Sequence, residues 1–285
     1  MSQLAAALAA RTTPIAESVH NRILILDVER VMPEYRIRSW SRKYDRYLHY
    51  DQLVTDARTS LVAWSWYDED EIHAAAEWDK GGRNQFLRKI HRVMEQADII
   101  VTHNGANADE PWLLADFTIP RKGAPGTSTF RRLPELPPWK TVDTLKTLRS
   151  KRYKGIDFKA LDAVCQIAGL PGKTDRYDYA AMDAAVAGDR DAQEQLTAYC
   201  KGDVAAERFV YDWLRPGMAN HPHLFVDGGK GALLVCNRCA SEETLATAKR
   251  YMANVQSYAM LRCSNCTGYR RLSWEPKRMS AVRGV

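Results

Sequence analysis

The 285-residue sequence contains no apolar run approaching the ~18–20 uninterrupted residues that span a bilayer, which excludes a helical membrane protein. It has no internal repeat and no low-complexity tract. Its composition, 45% hydrophobic and 27% charged, excludes disorder, collagen and coiled coil as descriptions of the whole chain. Cysteine is scarce, with six in all. Met1–Ala10 is rich in Ala and Leu but lacks the basic flank of a signal peptide, so a frayed helix within an N-terminal extension (1–20) is expected there. Net charge is nearly absent from the first 214 residues, where 30 Lys and Arg stand against 31 Asp and Glu.

The charge is concentrated at the other end. From Arg215 to Val285, 11 basic residues face 4 acidic ones, which points to a polyanionic partner gripped by the C-terminal part. A chain of this length has room for two domains at the usual ~100–200 residues each. Arg215-Pro216-Gly217, where a long helical pattern stops, sets the expected boundary, giving a body of 21–215 and a smaller unit of 216–285.

Four of the six cysteines form Cys236-Asn-Arg-Cys239 and Cys263-Ser-Asn-Cys266, two C-x2-C pairs with 23 residues between them. Each pair can form a knuckle presenting two thiolates, and two knuckles complete a tetrahedral four-sulfur zinc site. Gly268 supplies a permissive backbone just past the second pair. The segment Ala240–Arg262 has the size of a β-ribbon hairpin. Two disulfides would require an oxidising compartment, whereas reduced thiolates fit the cytoplasm. Cys165 and Cys200 stand singly in helical patterns and read as buried core thiols.

Along the body, Arg22–Val28 is a continuous apolar run and predicts a strand buried on both faces. Ser60–Tyr67 alternates and predicts a second strand, with a third around Glu71–Trp78. Helical spacing covers 83–96, Ala97–Thr102 reads as another buried strand, and Pro111–Phe117 opens a helix. Ile119–Lys140 holds five prolines and five basic residues without periodicity, a long loop of the kind that is functional or disordered. A short strand at Thr141–Asp143 and amphipathic helices at 157–168 and 190–214 follow. Strands alternating with helices give an α/β fold.

Several carboxylates stand where a simple core would not put them. Asp27 and Glu29 are two apart on a buried strand and so share a face at its C-terminal end. Asp109 follows His103-Asn104-Gly105 after a later strand. Tyr199 and Asp203 lie four apart on one face of the last helix. Each has a plain explanation alone: a strand exit, a helix start favoured by the helix dipole, core packing. Converging, four such carboxylates hold two divalent hard cations about 4 Å apart, the geometry that clamps a phosphodiester for in-line hydrolysis.

These motifs resemble those of the DEDDy-type 3′-5′ exonucleases of the ribonuclease H-like superfamily. The matching segments are Leu26-Asp-Val-Glu29, His103–Asp109 and Tyr199-Cys-Lys-Gly-Asp203. A phage-encoded branch with a zinc ribbon after the nuclease domain is similar over roughly residues 22–275, including Thr141–Lys146, Gly188-Asp189 and Asn220-His-Pro222. Arg30 and Ala108 depart from that pattern, where Thr and Phe are usual. The resemblance implies a ribonuclease H-like mixed sheet flanked by helices, with Asp27, Glu29, Asp109 and Asp203 binding two Mg2+ or Mn2+ and Tyr199 positioning the attacking water. It further implies one structural Zn2+ and a nucleic-acid substrate, DNA favoured over RNA. Asn104, Arg262, Arg270, Arg271, Lys277 and Arg278 are the expected nucleic-acid contacts, with Tyr269 and Trp274 as stacking surfaces. The competing functional reading is a non-catalytic nucleic-acid-binding protein with a degenerate nuclease fold; a weaker one is a zinc-ribbon transcription accessory protein.

Overall fold

The computed structural model describes residues 21–38, 47–171, 178–218, 221–222, 236, 238–239, 241, 243–252 and 257–271. The N-terminal extension therefore lies outside the described residues, as do Asn220, Trp274, Lys277 and Arg278. The chain divides into two compact units, Arg22–Trp213 and one containing the described residues from Leu214 onward. No helix among the described residues is long and apolar enough to cross a membrane.

The larger unit is built on a five-stranded mixed sheet flanked by helices. Its strands are β1 (Ile23–Val31), β4 (Arg58–Trp66), β5 (His73–Ala76), β6 (Ile99–Thr102) and β7 (Lys140–Asp143), in the order β5-β4-β1-β6-β7. A short pair, β2 (Glu34–Tyr35) and β3 (Leu53–Thr55), forms a separate ribbon. β1, β4 and β5 make an antiparallel meander, and β6 and β7 run parallel to β1. The apolar run of β1 places it at the centre, where Ile23, Leu24, Ile25 and Leu26 are all buried.

Alternation usually marks a strand with one face in water, yet all nine residues of β4 are buried. Arg58 and the Thr59 backbone meet buried ions. Ser65 Oγ donates to the Trp66 carbonyl at 3.1 Å, and the Thr59 and Ser60 hydroxyls are buried without a hydrogen-bond partner among the described residues. Arg58 on β4 forms a bidentate pair with Glu77 (2.8 Å). The Thr59 amide donates to Asp116 Oδ2 at 2.8 Å. Arg83 pairs with both Glu77 and Asp116 at 3.1 Å and donates to the Thr59 carbonyl, and Arg121 Nε reaches Asp116 Oδ1 at 2.5 Å.

The helices are α1 (Gly82–Glu95), α2 (Asp109–Thr118), α3 (Thr144–Leu148), α4 (Leu161–Ala168), α5 (Tyr179–Ala187) and α6 (Arg190–Leu214). Phe86, Leu87, Ile90 and Met94 carry the buried stripe of α1 into the core under β1 and β4. The helix expected from 157 begins only at Leu161, and α5 has no counterpart among the expected elements. Asp189 caps α6, its carboxylate accepting the Asp191 and Ala192 amides at 3.0 and 3.1 Å.

Residues 119–140 are neither disordered nor a free arm. Phe130, Leu133, Leu136 and Trp139 pack against the main core, the Leu133 amide bonds the Phe117 carbonyl (2.9 Å), and the Pro134 carbonyl meets His91 Nε2 at 2.9 Å. Turns and a short 3-10 helix (Thr127–Thr129) occupy the first half of this segment, and residues 130–139, which hold three of its prolines, cover the core without helix or ladder.

The smaller unit holds a three-stranded antiparallel sheet of β8 (Thr244–Met252), β9 (Ser257–Cys263) and β10 (Tyr269–Arg271), in the order β10-β9-β8.

Asp116 is fully buried and joins β4, α1 and the start of the proline-rich segment. Asp116→Ala removes the shared partner of Arg83, Arg121 and the Thr59 amide in a dry site. Arg83 keeps Glu77 and Arg121 keeps Asp56 at 3.7 Å, but the loss of a buried carboxylate from the cluster is expected to cost about 3–5 kcal/mol in urea denaturation. A loss below about 1 kcal/mol would show that water reaches the cluster.

Candidate functional site

The central strand carries two carboxylates out of the core. Asp27 and Glu29 stand opposite the apolar Ala63 and Leu61 of β4, and a bulge follows at Glu29/Arg30. Both are half-buried. The Cys200 thiol on α6 donates to Asp27 Oδ2 at 3.4 Å and approaches the Asp27 carbonyl at 3.6 Å. Ligand atoms of Asp27, Glu29 and Cys200 lie within 4.8 Å of one another. Cys200 is buried as expected, but at this site and not merely in the core.

Around this group the fold adds more negative charge. Asp203 and Glu207, one and two turns beyond Tyr199 on α6, are buried; Tyr199 itself is half-buried. Asp143 closes β7, pairs in register with Thr102 and caps α3 through the Lys146 amide at 2.9 Å. Asp109 and Glu110 open α2 and are buried. Asp109 and Asp203 stand outside the 4.8 Å group of Asp27, Glu29 and Cys200.

The electrostatics record the crowding. Burial, then the charges of Asp27, Glu110 and Asp143, pushes the Asp109 carboxyl well above the usual range, against the pull of Arg30. Glu207 is likewise pushed well up, first by burial, with the Thr144 hydroxyl opposing and Asp27, Asp143 and Asp109 adding. Burial raises Glu110 although Trp139 and Thr141 donate to it. Burial and the neighbouring Asp27 and Glu29 raise the Cys200 thiol, so it stays a proton donor. Among the described residues, Glu207 Oε1 and Glu110 Oε1 are buried without a hydrogen-bond partner.

The end of β6 is tied to the same centre. His103 Nδ1 meets Thr144 Oγ1 at 2.9 Å and lies 3.8 Å from Glu207, while Nε2 meets the Lys159 carbonyl at 2.8 Å. Asn104 takes a left-handed backbone (φ 77°), and its amide donates to Asp143 at 3.2 Å. At Gly105 a Cβ would fall 2.5 Å from the Thr102 side chain, so the turn tolerates only glycine. Asp27, His103, Asn104 and Asp203 line an open cleft of about 450 Å³ whose other wall includes Arg149 and Lys159.

Of the departures noted in the sequence, Arg30 lies over the Trp112 ring at 4.4 Å. His103 and Asp143 fall inside the matching segments His103–Asp109 and Thr141–Lys146 but are not among the expected site residues. For Glu207 the available signal is the helical stripe that continues from Asp203.

In the smaller unit, the four cysteine sulfurs lie within 4.8 Å of one another. Cys236 and Cys266 are 3.6 Å apart and Cys239 and Cys263 3.5 Å. These separations exceed the ~2.05 Å of a disulfide and approach the edge, about 3.8 Å, of a tetrahedron with Zn–S near 2.3 Å. Burial raises Cys263, but the Cys266 and Asn265 amides and nearby thiols outweigh it, bringing that thiol to about 7. Cys266, raised first by burial, is pushed to about 12. The left-handed residue of the second knuckle is Thr267 (φ 55°), not Gly268. Gly268 instead provides space, since a Cβ there would lie 2.7 Å from Arg238 Nη1 and 3.3 Å from Cys266 Sγ.

The expected nucleic-acid residues of this unit are differently placed. Arg262 and Arg271 are exposed, with Arg262 over Tyr269 (5.6 Å) and Arg271 over Tyr258 (4.6 Å) and Tyr251 (5.0 Å). Arg270 is half-buried, and the Cys236, Cys263 and Cys239 charges oppose the lowering of its pKa by burial.

No protein-family model matches the sequence, and no curated protein matches it. Among solved structures the chain is similar to the family B DNA polymerase from the hyperthermophilic archaeon Pyrobaculum calidifontis, with 17% identity and a TM-score of 0.45. The similarity covers 69% of this chain and spans a quarter (25%) of the polymerase.

Proposed function

We propose that the protein is a divalent-cation-dependent 3′-5′ exonuclease with Asp27, Glu29, Asp109 and Asp203 as its metal-binding carboxylates. One observation carries the reading: Asp27 of the central strand and Asp203 line an open cleft, and the buried Asp109 and Glu207 lie near enough for the charge of Asp27 to raise the proton affinity of both. Burying like charges is costly, and a hard cation between them removes the cost. The donor set fits such a cation, since it is rich in carboxylate oxygen and leaves Glu207 Oε1 buried and unmatched. Direction along the strand comes from the motif resemblance.

Two Mg2+ or Mn2+ bound there would activate a water and stabilise the leaving oxygen of an in-line displacement. The chain's own residues do the rest. Cys200, kept protonated by burial, holds the Asp27 carboxylate by its hydrogen bond. His103, Thr144 and Glu207 fix the end of β6 and so the wall formed by Asn104. Tyr199 orients the attacking water; with an ordinary phenol pKa of ~10 such a group positions water better than it abstracts a proton. DNA is the favoured substrate.

Oligonucleotides labelled at either end provide the test. With Mn2+, wild-type protein is expected to release the 3′ label as a mononucleotide while the 5′-labelled strand shortens stepwise, and EDTA should stop both. Asp27→Ala should lower turnover by about a thousandfold or more, the scale of several kcal/mol of lost charge stabilisation. Tyr199→Phe should lower it only about tenfold, the worth of one hydrogen bond. A non-catalytic binder leaves both labels intact, and near-wild-type turnover by purified Asp27→Ala would sink the assignment.

We further propose one structural Zn2+ on Cys236, Cys239, Cys263 and Cys266, with Arg270 offsetting part of the thiolate charge. Elemental analysis of reduced protein should find one zinc per chain. Cys236→Ser should lose it and expose the smaller unit to proteolysis, because so small a ribbon has little core without its metal. Full protease resistance in zinc-free protein would refute the structural role.

A further inference from the structure

A second basic region lies within the larger unit, hidden by that unit's near-zero net charge. Between Lys146 and Lys159, six of 14 residues are basic (Lys146, Arg149, Lys151, Arg152, Lys154 and Lys159), and Asp157 is the one acid. Five of the six are exposed and Lys159 is half-buried. None forms an ion pair among the described residues. Elsewhere in the same unit the fold does pair its cations, with Arg58, Arg83 and Arg121 all bound to buried carboxylates. Cations gathered on one short segment repel one another, and a polyanion is the partner that turns this repulsion into attraction.

Placement narrows the partner. Arg149 and Lys159 stand on the wall of the cleft that Asp27 and Asp203 also line. Beside Lys159, Phe158 is 71% exposed, an aromatic ring open to solvent. A base can stack on such a face only if it is not already stacked within a duplex. The 450 Å³ cleft is also of single-ligand size, within the ~300–1,000 Å³ common for small-molecule sites.

We propose that Lys146–Lys159 is the binding path for a single strand of nucleic acid, its cations on successive phosphates and Phe158 against one base, delivering the strand end to Asp27. The proposal rests on the exonuclease reading only for what happens at that end; the binding itself does not require catalysis. Contacts to phosphate and a base face carry no sequence preference. With five exposed cations against the exposed ribbon pair Arg262 and Arg271, this segment is the main source of attraction. Ring stacking does not separate the two regions, since Arg152 lies over Tyr153 at 5.9 Å as the ribbon arginines lie over their tyrosines.

Fluorescence anisotropy of the zinc-loaded full chain with labelled 12-nucleotide probes tests this, without added Mg2+ or Mn2+ so that no cleavage occurs. The triple variant Lys151→Gln/Arg152→Gln/Lys154→Gln should bind single-stranded DNA and RNA at least tenfold more weakly. The slope of log Kd against log salt should fall by about 2, since each phosphate no longer neutralised removes ~0.7. Phe158→Ala should weaken binding roughly tenfold for a normal probe but not for an abasic one. Arg262→Gln/Arg271→Gln should have the smaller effect. Wild-type affinity and salt slope in a triple variant that melts normally would overturn the path, as would equal use of the segment by duplex DNA. Protein that binds through these residues yet cleaves no 3′ end with Mn2+ would support the path and contradict the exonuclease reading instead.

Discussion

Asp27 sits on the middle strand of the sheet, near enough to Asp109 and Glu207 that its charge raises the proton affinity of both. Burial does more than charge in each case, so Asp109 and Glu207 are shielded from water, whereas half-buried Asp27 borders the open cleft. Much of the larger unit follows from keeping these groups where they are. β1 must be covered on both faces to be central, β6 and β7 must run parallel to it to bring His103, Asn104 and Asp143 to the same end, and α6 must return across that end to add Cys200, Asp203 and Glu207. Such an arrangement stores electrostatic cost that only protons or cations relieve.

Elements whose sequence signal is local were legible. The apolar run of β1, the stripe of α1 and the paired C-x2-C knuckles each depend on neighbours a few residues away. The polar residues of β4 were harder, because Arg58, Thr59, Ser60 and Ser65 read the same whether the strand faces water or lies against a buried Arg–Asp–Glu cluster, reached here by Arg58 and the Thr59 backbone and formed by residues distant in sequence. The proline-rich segment 119–140 lacks periodicity for a different reason: its apolar residues cover the core one at a time from a chain without helix or ladder. Asp27, Glu29, Asp109 and Asp203 could be named from motifs, whereas Cys200, Asp143 and Glu207 belong to the site only through folding. Knuckle chemistry was likewise clear in kind, but the left-handed residue is Thr267 rather than Gly268, whose missing Cβ instead makes room for Arg238 and Cys266.

Net charge proved a poor guide to where cations work. A body with balanced charge separates it into a buried acidic floor and an exposed basic segment on the rim of the same cleft. The C-terminal unit has the larger excess, yet its Arg262 and Arg271 lie on tyrosine rings and Arg270 faces thiols. A polyanionic partner is legible in the composition, but where it binds emerges only when each charge is weighed by its surroundings.

The cost of the crowded carboxylates is most directly tested by thermal melting of zinc-loaded protein, with and without Mn2+, at pH 5 and pH 8. Asp109 and Glu207 have folded-state proton affinities above their unfolded ones. Their contribution to stability is therefore fully present below the ordinary carboxylate pKa of about 4 and is lost as pH rises through the raised values. Mn2+ competes with protons for the same oxygens, so it should raise the melting temperature more at pH 8 than at pH 5, by an amount equivalent to about 2.7 kcal/mol at 100 times its Kd. An equal rise at both pH values, or none, would contradict the account.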